Sequence, residues 1–268
     1  MGRTRLTPMP APLIELNAVG KRFDDRRSGR ATQALDDFSL AVAEGEFVCL
    51  LGPSGCGKST VLDLLAGFER PSAGHVAIGG APVGRPGPDR GIVFQDALLF
   101  PWLSVQGNIT FAPRLAGIPA RDYRPRARQL IEVMGLAGFE RHAPYELSGG
   151  MRQRVAIARA WISQPRLLLM DEPFGALDAQ TRLDMQELLL SARDRTGSTV
   201  LFVTHDIEES LFLADRIAVM SRRPGRVALE ISVPFPRPRN YEALLAEPEF
   251  GRIKQAIVKM LRQQRQVD

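Results

Sequence analysis

A glycine-rich loop that follows a short apolar stretch is the part of this sequence best suited to chemistry. Residues 47–51, FVCLL, have the apolar pattern of a buried strand, and a helix is predicted to start near Lys58. The loop between them has the form G-x-x-x-x-G-K-S/T, whose glycines let backbone N–H groups turn toward phosphate oxygens. Lys58 offers a charge for the β- and γ-phosphates, and Ser59 offers a hydroxyl for Mg²⁺. The alternative is a glycine-rich turn that binds nothing. Phosphate binding is favoured because the predicted strand, Lys58 and the Ser59–Thr60 pair all stand at the spacing that the pattern requires.

An acidic pair provides the second candidate group. Residues 166–170, RLLLM, form a short apolar stretch that runs directly into Asp171 and Glu172. The first carboxylate is suited to the Mg²⁺ shell, and the second is suited to orienting or deprotonating a water molecule. Many strands end in Asp, so the pair becomes specific only in combination with the phosphate loop.

Two single residues are more ambiguous. His205 follows an apolar stretch, residues 199–203, and most isolated histidines are structural, but strand ends in open α/β sheets gather ligands. Phe23, predicted just beyond a first strand at residues 13–19, either stacks on a base or packs in the core at the strand end. The sequence alone leaves both alternatives open for Phe23, and His75 and His142 receive no role.

The elements that must position these groups alternate between strands and helices. A mostly helical insertion is predicted between about residues 98 and 145, and its FPWLS segment is either exposed for a partner or part of the core. A helix at residues 147–162 follows, and Pro165 ends it. A stiff connector with Pro234, Pro236 and Pro238 precedes an amphipathic tail helix from about residue 247. The remaining strands are predicted at residues 34–42, 72–78, 90–94, 217–221 and 226–233, and the remaining helices at residues 59–66, 179–195 and 207–214.

Composition limits the function classes. The chain has 268 residues, 44% of them hydrophobic, which suits one large domain or a domain with a subdomain. No apolar run approaches the roughly 20 residues that span a bilayer, and residues 1–12 lack the apolar core of a secretory signal, so a disordered lead-in and a cytoplasmic location are expected.

The net charge of +5 is spread along the chain, which favours solvated faces over nucleic-acid binding. Cys49 and Cys56 fit neither a zinc site nor a disulfide framework, and they are interpreted as a core residue and a tolerated loop residue.

Five motifs in a fixed order resemble the nucleotide-binding subunit of ABC transporters. They are GPSGCGKST, Gln95, LSGGM, LLLMDEP with GALD, and His205. The LSGG run is the discriminating motif, because other P-loop ATPases share the first and fourth motifs without it. The resemblance covers about residues 13–261. It implies an α/β P-loop NTPase fold with a RecA-like core sheet, an antiparallel β subdomain and a helical subdomain. The implied bounds are 13–233 for the ATPase domain, about 98–164 for its helical subdomain, and 234–268 for the connector and tail helix.

The resemblance also implies a role for individual residues. Phe23 would stack on adenine, Glu172 would be the general base, and His205 would contact the γ-phosphate. Gln95 would touch both Mg²⁺ and the attacking water. The phosphate-holding residues would be Gly52, Pro53, Ser54, Gly55, Cys56, Gly57, Lys58, Ser59 and Thr60; the Mg²⁺ ligands would be Ser59, Gln95 and Asp171; the residues contacting the other subunit or its nucleotide would be Ser148, Gly149, Gly150 and Asp178.

These roles imply partners. ATP and Mg²⁺ would be completely enclosed only when two copies of the chain close head to tail, so a homodimer is expected. Two transmembrane permease subunits would dock on the helical insertion at about residues 100–116. A substrate-binding protein would act indirectly, the chain would lie on the cytoplasmic face of the membrane, and nucleic acid is not expected as a partner.

Longer runs narrow the resemblance to one branch of importers. LSGGM-R-Q-R, QDALLFPWLSVQGNI, MDEPFGALDAQTR and FVTHDIEESLFLADRI resemble the importers of nitrate, sulfonates and taurine, with taurine slightly favoured as the cargo. Met151 stands where the broader family often has Gln. An aliphatic sulfonate or nitrate importer is the alternative. A soluble ABC-type ATPase acting on nucleic acid is less favoured, because the chain has one cassette and no long coiled coil. An unrelated P-loop kinase or GTPase predicts no LSGG run.

Overall fold

Two β-sheets organise the chain. The computed structural model describes residues 12–24 and 31–264. The larger sheet has six strands in the order β10-β9-β3-β8-β7-β6, in which neighbours from β9 to β6 run parallel and β10 pairs antiparallel with β9. Its strands are β3 (Phe47–Leu51), β6 (Arg90–Val93), β7 (Leu167–Asp171), β8 (Thr199–Thr204), β9 (Arg216–Met220) and β10 (Val227–Ser232).

The central strands of this sheet are buried on both faces, which explains their continuous apolar sequences. Every residue of β3 is fully buried. Phe47, Cys49 and Leu51 face one hydrophobic cluster, and Val48 and Leu50 face the other, as the two-residue period of a strand requires. Strands β3, β8 and β7 are parallel neighbours, so their carboxyl ends lie side by side at one edge of the sheet.

The smaller sheet is antiparallel, with the order β2-β1-β4-β5. Its strands are β1 (Ile14–Asp24), β2 (Ala31–Val42), β4 (Ala73–Ile78) and the short β5 (Ala81–Pro82). The prediction that Phe23 lies just beyond the first strand is wrong. Pairing with β2 continues through two irregular steps near Lys21, and Phe23 pairs with Thr32 inside β1. Irregular pairing interrupts the alternation of apolar and polar residues along the strand. The sequence analysis therefore did not predict its second half.

The helical insertion is present, and one buried amide organises its start. Its helices are α2 (Val105–Ile109), α3 (Phe111–Leu115) and α4 (Ala120–Val133), followed by a 3₁₀ turn at Pro144–Glu146. The fully buried Asn108 accepts from the N–H of Phe100 at 2.8 Å and donates to the carbonyl oxygens of Phe100 and Leu103. No residue of the FPWLS segment is fully buried: Phe100 is half-buried and packs on Phe111 with ring centroids 4.4 Å apart, and Trp102 is 74% exposed.

The other helices cover the sheets or extend beyond them. They are α1 (Lys58–Ala66), α5 (Gly149–Trp161), α6 (Ala179–Thr196), α7 (Ile207–Leu213), α8 (Tyr241–Ala246) and α9 (Pro248–Gln263). The sequence analysis missed α8, which has six residues. None of the helices in the described ranges is long and apolar enough to cross a membrane. The predicted lead-in falls almost entirely on residues outside the described ranges, and the predicted domain bounds stay predictions.

Candidate functional site

The phosphate loop joins β3 to α1, and glycine is favoured at Gly55 and Gly57 by a positive φ and at Gly52 by a close contact. Gly57 has a φ of +106°, and a Cβ there would lie 2.8 Å from Leu35 Cδ2. A Cβ on Gly52 would lie 2.9 Å from Cys56 Sγ. The Cys56 side chain is buried in the core next to this loop, so it contributes to packing as well as to the loop.

Lys58 is folded back over the loop. Its side chain is 5% exposed, and Nζ donates to the carbonyl oxygens of Gly52 at 2.8 Å and Pro53 at 3.1 Å. These bonds hold the ammonium group above the turn formed by residues 52–57, the place where the sequence predicts a phosphate chain.

Glu172 lies between Lys58, the first residue of α1, and His205, which directly follows β8. Its Oε1 is 3.6 Å from Lys58 Nζ, and its Oε2 is 2.8 Å from His205 Nδ1. Glu172 also has a φ of +43°, a conformation that non-glycine residues rarely adopt and that concentrates at functional sites. Its N–H donates to the carbonyl oxygen of Val203 on β8, which fixes the backbone beside the sheet edge.

Asp171 and Ser59 form the part of the site that fits a magnesium ion. Burial raises the pKa of the Asp171 carboxyl, and a hydrogen bond from Ser59 opposes that rise. A carboxylate and a hydroxyl are hard oxygen ligands, and Mg²⁺ typically takes one or two carboxylates together with substrate phosphates and water. Within the described ranges no group of three or more His, Cys, Asp or Glu residues is arranged to hold a metal alone. The pair therefore fits an ion that nucleotide phosphates help to coordinate.

Gln95 lies near the acidic pair, and helix α5 supports its loop. Gln95 Nε2 approaches Gly175, where an added Cβ would be 3.5 Å away. The buried Gln153 donates to the carbonyl oxygen of Phe94, and Arg159 donates to those of Ala97 and Leu98. The sequence analysis missed these two supports. For Gln153 the signal was its spacing of four and eight residues from Ile157 and Trp161, which puts an amide on the apolar face of α5.

The serine–glycine motif forms a second, separate cluster. Ser148 caps α5 by accepting from the Met151 N–H at 3.3 Å, and Asp178 caps α6 by accepting from the Thr181 N–H at 3.0 Å. The two helix starts touch, because a Cβ on Gly150 would lie 2.7 Å from Thr181 Cγ2. Ser148, Gly149 and Asp178 are exposed. Across residues 12–24 and 31–264, no hydrogen bond or ion pair joins this cluster to Lys58, Glu172 or His205.

Phe23 lies on the antiparallel sheet rather than on the edge that carries Glu172. Its ring is 39% exposed, and Lys21 Nζ lies 4.7 Å from the ring centroid. Phe23 was predicted either to stack on a base or to pack in the core, and its exposed ring does not fit the core position. Stacking on adenine stays a prediction.

A family model described as "ABC transporter" matches residues 35–175. Across 246 residues the chain is 48% identical to a Brucella abortus (strain 2308) protein that has a provisional ATP-binding designation, and the match covers 92% of each chain. It is 44% identical over 252 residues to the taurine import ATP-binding protein TauB of Jannaschia sp. (strain CCS1), covering 92% of this chain and 93% of that protein.

A solved structure adds a similar fold. The dimeric post-hydrolysis state of the ATP-binding cassette MJ0796, bound to ADP and Pi, has a TM-score of 0.71 and 32% identity. The likeness covers 83% of this chain and 100% of that chain. Sequence and fold comparisons therefore agree with the motif order described above. This chain belongs to the ABC transporter family, as an ATP-binding subunit that hydrolyses ATP.

Proposed function

We propose that this subunit powers an importer for taurine or a related sulfonate- or nitrate-type anion, from the cytoplasmic face of the membrane. The observation that carries the chemical part is the position of Glu172 between Lys58 and His205. The TauB relative supports the cargo class. Neither observation concerns the cargo directly, so the chemical mechanism and the cargo are tested separately.

In this proposal the phosphate loop and Lys58 hold the β- and γ-phosphates of ATP. The loop glycines direct N–H donors at the phosphate oxygens, and the start of α1 adds a partial positive charge. Ser59 and Asp171 hold Mg²⁺ with help from Gln95, and the ion neutralises charge on the phosphates. Phosphoryl transfer to water depends mainly on such positioning and charge stabilisation.

Glu172 is the proposed general base. Its carboxylate accepts a proton as the water oxygen attacks the γ-phosphorus and the bond to the β-γ bridging oxygen breaks. His205 holds one carboxylate oxygen through Nδ1 and is proposed to contact the γ-phosphate. The positive φ at Glu172 supports this role, because a strained backbone is retained where the surrounding structure imposes it.

The serine–glycine cluster is proposed to act on a second copy of the chain. Ser148 and Gly150 would contact the γ-phosphate held by Lys58 of the other subunit, Gly149 would belong to the same nucleotide site, and Asp178 would lie across the interface. Two features support this: the exposure of Ser148 and Asp178, and their separation from the hydrolytic residues of their own chain. ATP would then favour the closed dimer because it makes contacts there that the open state lacks. Loss of the γ-phosphate would open the dimer.

The helical insertion is the proposed docking surface for two permease subunits, with a substrate-binding protein acting beyond them. Trp102 and Leu115, which are 74% and 77% exposed, support this assignment. Large exposed apolar side chains are a feature of interaction surfaces.

A growth experiment tests the cargo. We expect a strain that lacks this gene to fail to grow on taurine as the sole sulfur source and to grow normally on sulfate. The wild-type gene should restore growth, whereas a Lys58→Ala copy should not, because ATP would not be hydrolysed. Failure on an alkanesulfonate as the sole sulfur source, or on nitrate as the sole nitrogen source, with normal growth on taurine would select the alternative cargo. Normal growth on all three would contradict the importer proposal.

A further inference from the structure

Helix α7 begins two residues after His205, and the C-terminal extension holds it. This extension comprises residues 234–264 and contains the Pro-rich connector, α8 and α9. It contacts α7 in the first turn and again at the last turn. The family motifs give no reason for these contacts, which lie outside the phosphate loop and the acidic pair.

In the first turn, both carboxylate oxygens of Glu208 are bound by the extension. Lys254 Nζ on α9 lies 2.5 Å from Oε1, and the Tyr241 hydroxyl on α8 donates to Oε2 at 2.9 Å. The hydrogen bond from Lys254 lowers the pKa of Glu208, which favours the charged carboxylate. The Tyr241 ring also packs edge-on against Phe212, with centroids 5.2 Å apart. Two helices of the extension therefore converge on one side chain of α7.

At the last turn, two guanidinium groups bind the terminal carbonyl oxygens of α7, whose C-cap residue is Ala214 and not a glycine. Arg239 Nη1 donates to the carbonyl oxygens of Phe212 at 2.9 Å and Ala214 at 2.7 Å, and Arg237 Nη2 donates to that of Leu213 at 2.5 Å. Carbonyl groups at a helix end lack intrahelical partners and need such donors. Burial lowers the pKa of Arg239 to about 10, which leaves it charged at neutral pH.

The backbone on either side of His205 is tied to α7 and to the end of β8. Asp206 caps the helix by accepting from the N–H groups of Glu208 at 2.9 Å and Glu209 at 3.1 Å, and its own N–H donates to Thr204 Oγ1 at 2.9 Å. His205 is the single residue between that strand end and the cap. A shift of the first turn of α7 is therefore transmitted to the imidazole, whose Nδ1 is 2.8 Å from Glu172 Oε2.

Helix α7 is also held by a second element. Gln186 on α6 donates to the buried Glu209 at 2.9 Å, and Arg182 lies 3.7 Å from Asp206. If α6 alone determined the position of α7, the bonds from the extension to Glu208 would have no effect on hydrolysis. This is the rival explanation that an experiment must exclude.

We propose that the C-terminal extension orients His205 for ATP hydrolysis by fixing α7, with Lys254 and Tyr241 acting through Glu208 as positioning residues. The inference rests on the proposed role of His205 at the γ-phosphate. In this proposal the extension affects the rate of ATP hydrolysis and does not affect the affinity for ATP.

The test compares two basic residues of α9, each of which forms an ion pair. Lys254→Met removes the bond to Glu208, and Arg252→Met removes the exposed Arg252–Glu249 pair, 3.1 Å long, which lies within α9. In single-turnover hydrolysis by the full-length chain, Lys254→Met should lower the rate at saturating ATP at least about fivefold, because small misplacement of a reacting group slows catalysis strongly. The ATP concentration for half-maximal rate and the unfolding midpoint should not change. Arg252→Met should match the wild type, and Lys254→Arg should recover most of the rate.

A double-variant cycle tests the route through Glu208. If Lys254 acts through this carboxylate, Glu208→Gln combined with Lys254→Met should be no slower than the slower single variant. Additive losses, or a Lys254→Met rate equal to the wild type, would overturn the inference. His205→Ala separates the two levels of the argument. Wild-type hydrolysis by His205→Ala would remove the proposed role of His205, and slow hydrolysis by His205→Ala with normal hydrolysis by Lys254→Met would remove only the role of the extension.

Discussion

Glu172→Gln is expected to reduce ATP hydrolysis at least about a thousandfold, within the range that a positioned general base contributes. The amide has nearly the same shape as the carboxylate but cannot accept the proton of the attacking water. ATP binding should be retained, because the phosphate loop and Lys58 are unchanged. Phosphate release under single-turnover conditions measures the hydrolysis, and titration with a fluorescent ATP analogue measures the binding.

Glu187→Gln is the matched control for this prediction. Glu187 is an exposed carboxylate on α6, and the same chemical change there should leave both measurements at wild-type values. Hydrolysis by Glu172→Gln within about tenfold of the wild type would assign the proton transfer to another group. Loss of ATP binding instead would mean that Glu172 acts in binding, through its 3.6 Å approach to Lys58.

Lys58→Ala is expected to abolish turnover and to weaken ATP binding by roughly 10- to 150-fold, the equivalent of one charge-assisted hydrogen bond of about 1.5–3 kcal/mol. The change removes the ammonium group proposed for the β- and γ-phosphates. It also removes the donor to the carbonyl oxygens of Gly52 and Pro53, which helps to hold the loop closed. Isothermal titration with ATP and a steady-state phosphate assay check the two effects.

Lys259→Ala controls for the loss of a lysine, since Lys259 is exposed on α9. It should bind and hydrolyse ATP as the wild type does. Wild-type turnover by Lys58→Ala would contradict the assignment of residues 52–60 to the phosphates, and with it the chemical part of the proposed function.

The sequence predicted the elements whose signals are local. The β3 bounds were predicted without error, because five apolar residues are followed by a glycine loop and a buried parallel strand has no polar face. Asp171 was placed at a strand end, and His205 just after one, for the same reason. The structure shows that these strands are parallel neighbours, so the three local patterns meet at one edge of the sheet. The family comparison confirms the family assignment that followed.

What the sequence did not predict depends on contacts between distant segments. Phe23 was placed outside β1 because irregular pairing with β2 breaks the alternation near Lys21. Helix α8 has too few residues for a periodic signal. The bonds from Arg239 to the end of α7 join residues more than twenty positions apart, and an arginine on a proline-rich connector gives no local sign of such a partner. The roles of individual site residues remain proposals that the variants above test.

The central claim is that two identical chains jointly enclose each ATP, with Ser148 of one chain closing the site that Lys58 of the other provides. Replacing Ser148 with arginine in the Glu172→Gln chain should block this closure by steric overlap and charge, while each chain still binds ATP through its own phosphate loop. The Glu172→Gln variant and the variant that also carries Ser148→Arg are therefore predicted to differ in assembly but not in ATP occupancy.

The molar mass of the Glu172→Gln chain at saturating ATP and Mg²⁺, measured by light scattering after size exclusion, tests this claim most directly. The account predicts a dimer with ATP, a monomer with ADP, and a monomer for the chain that also carries Ser148→Arg. A Glu172→Gln chain that is saturated with ATP and remains a monomer would contradict it.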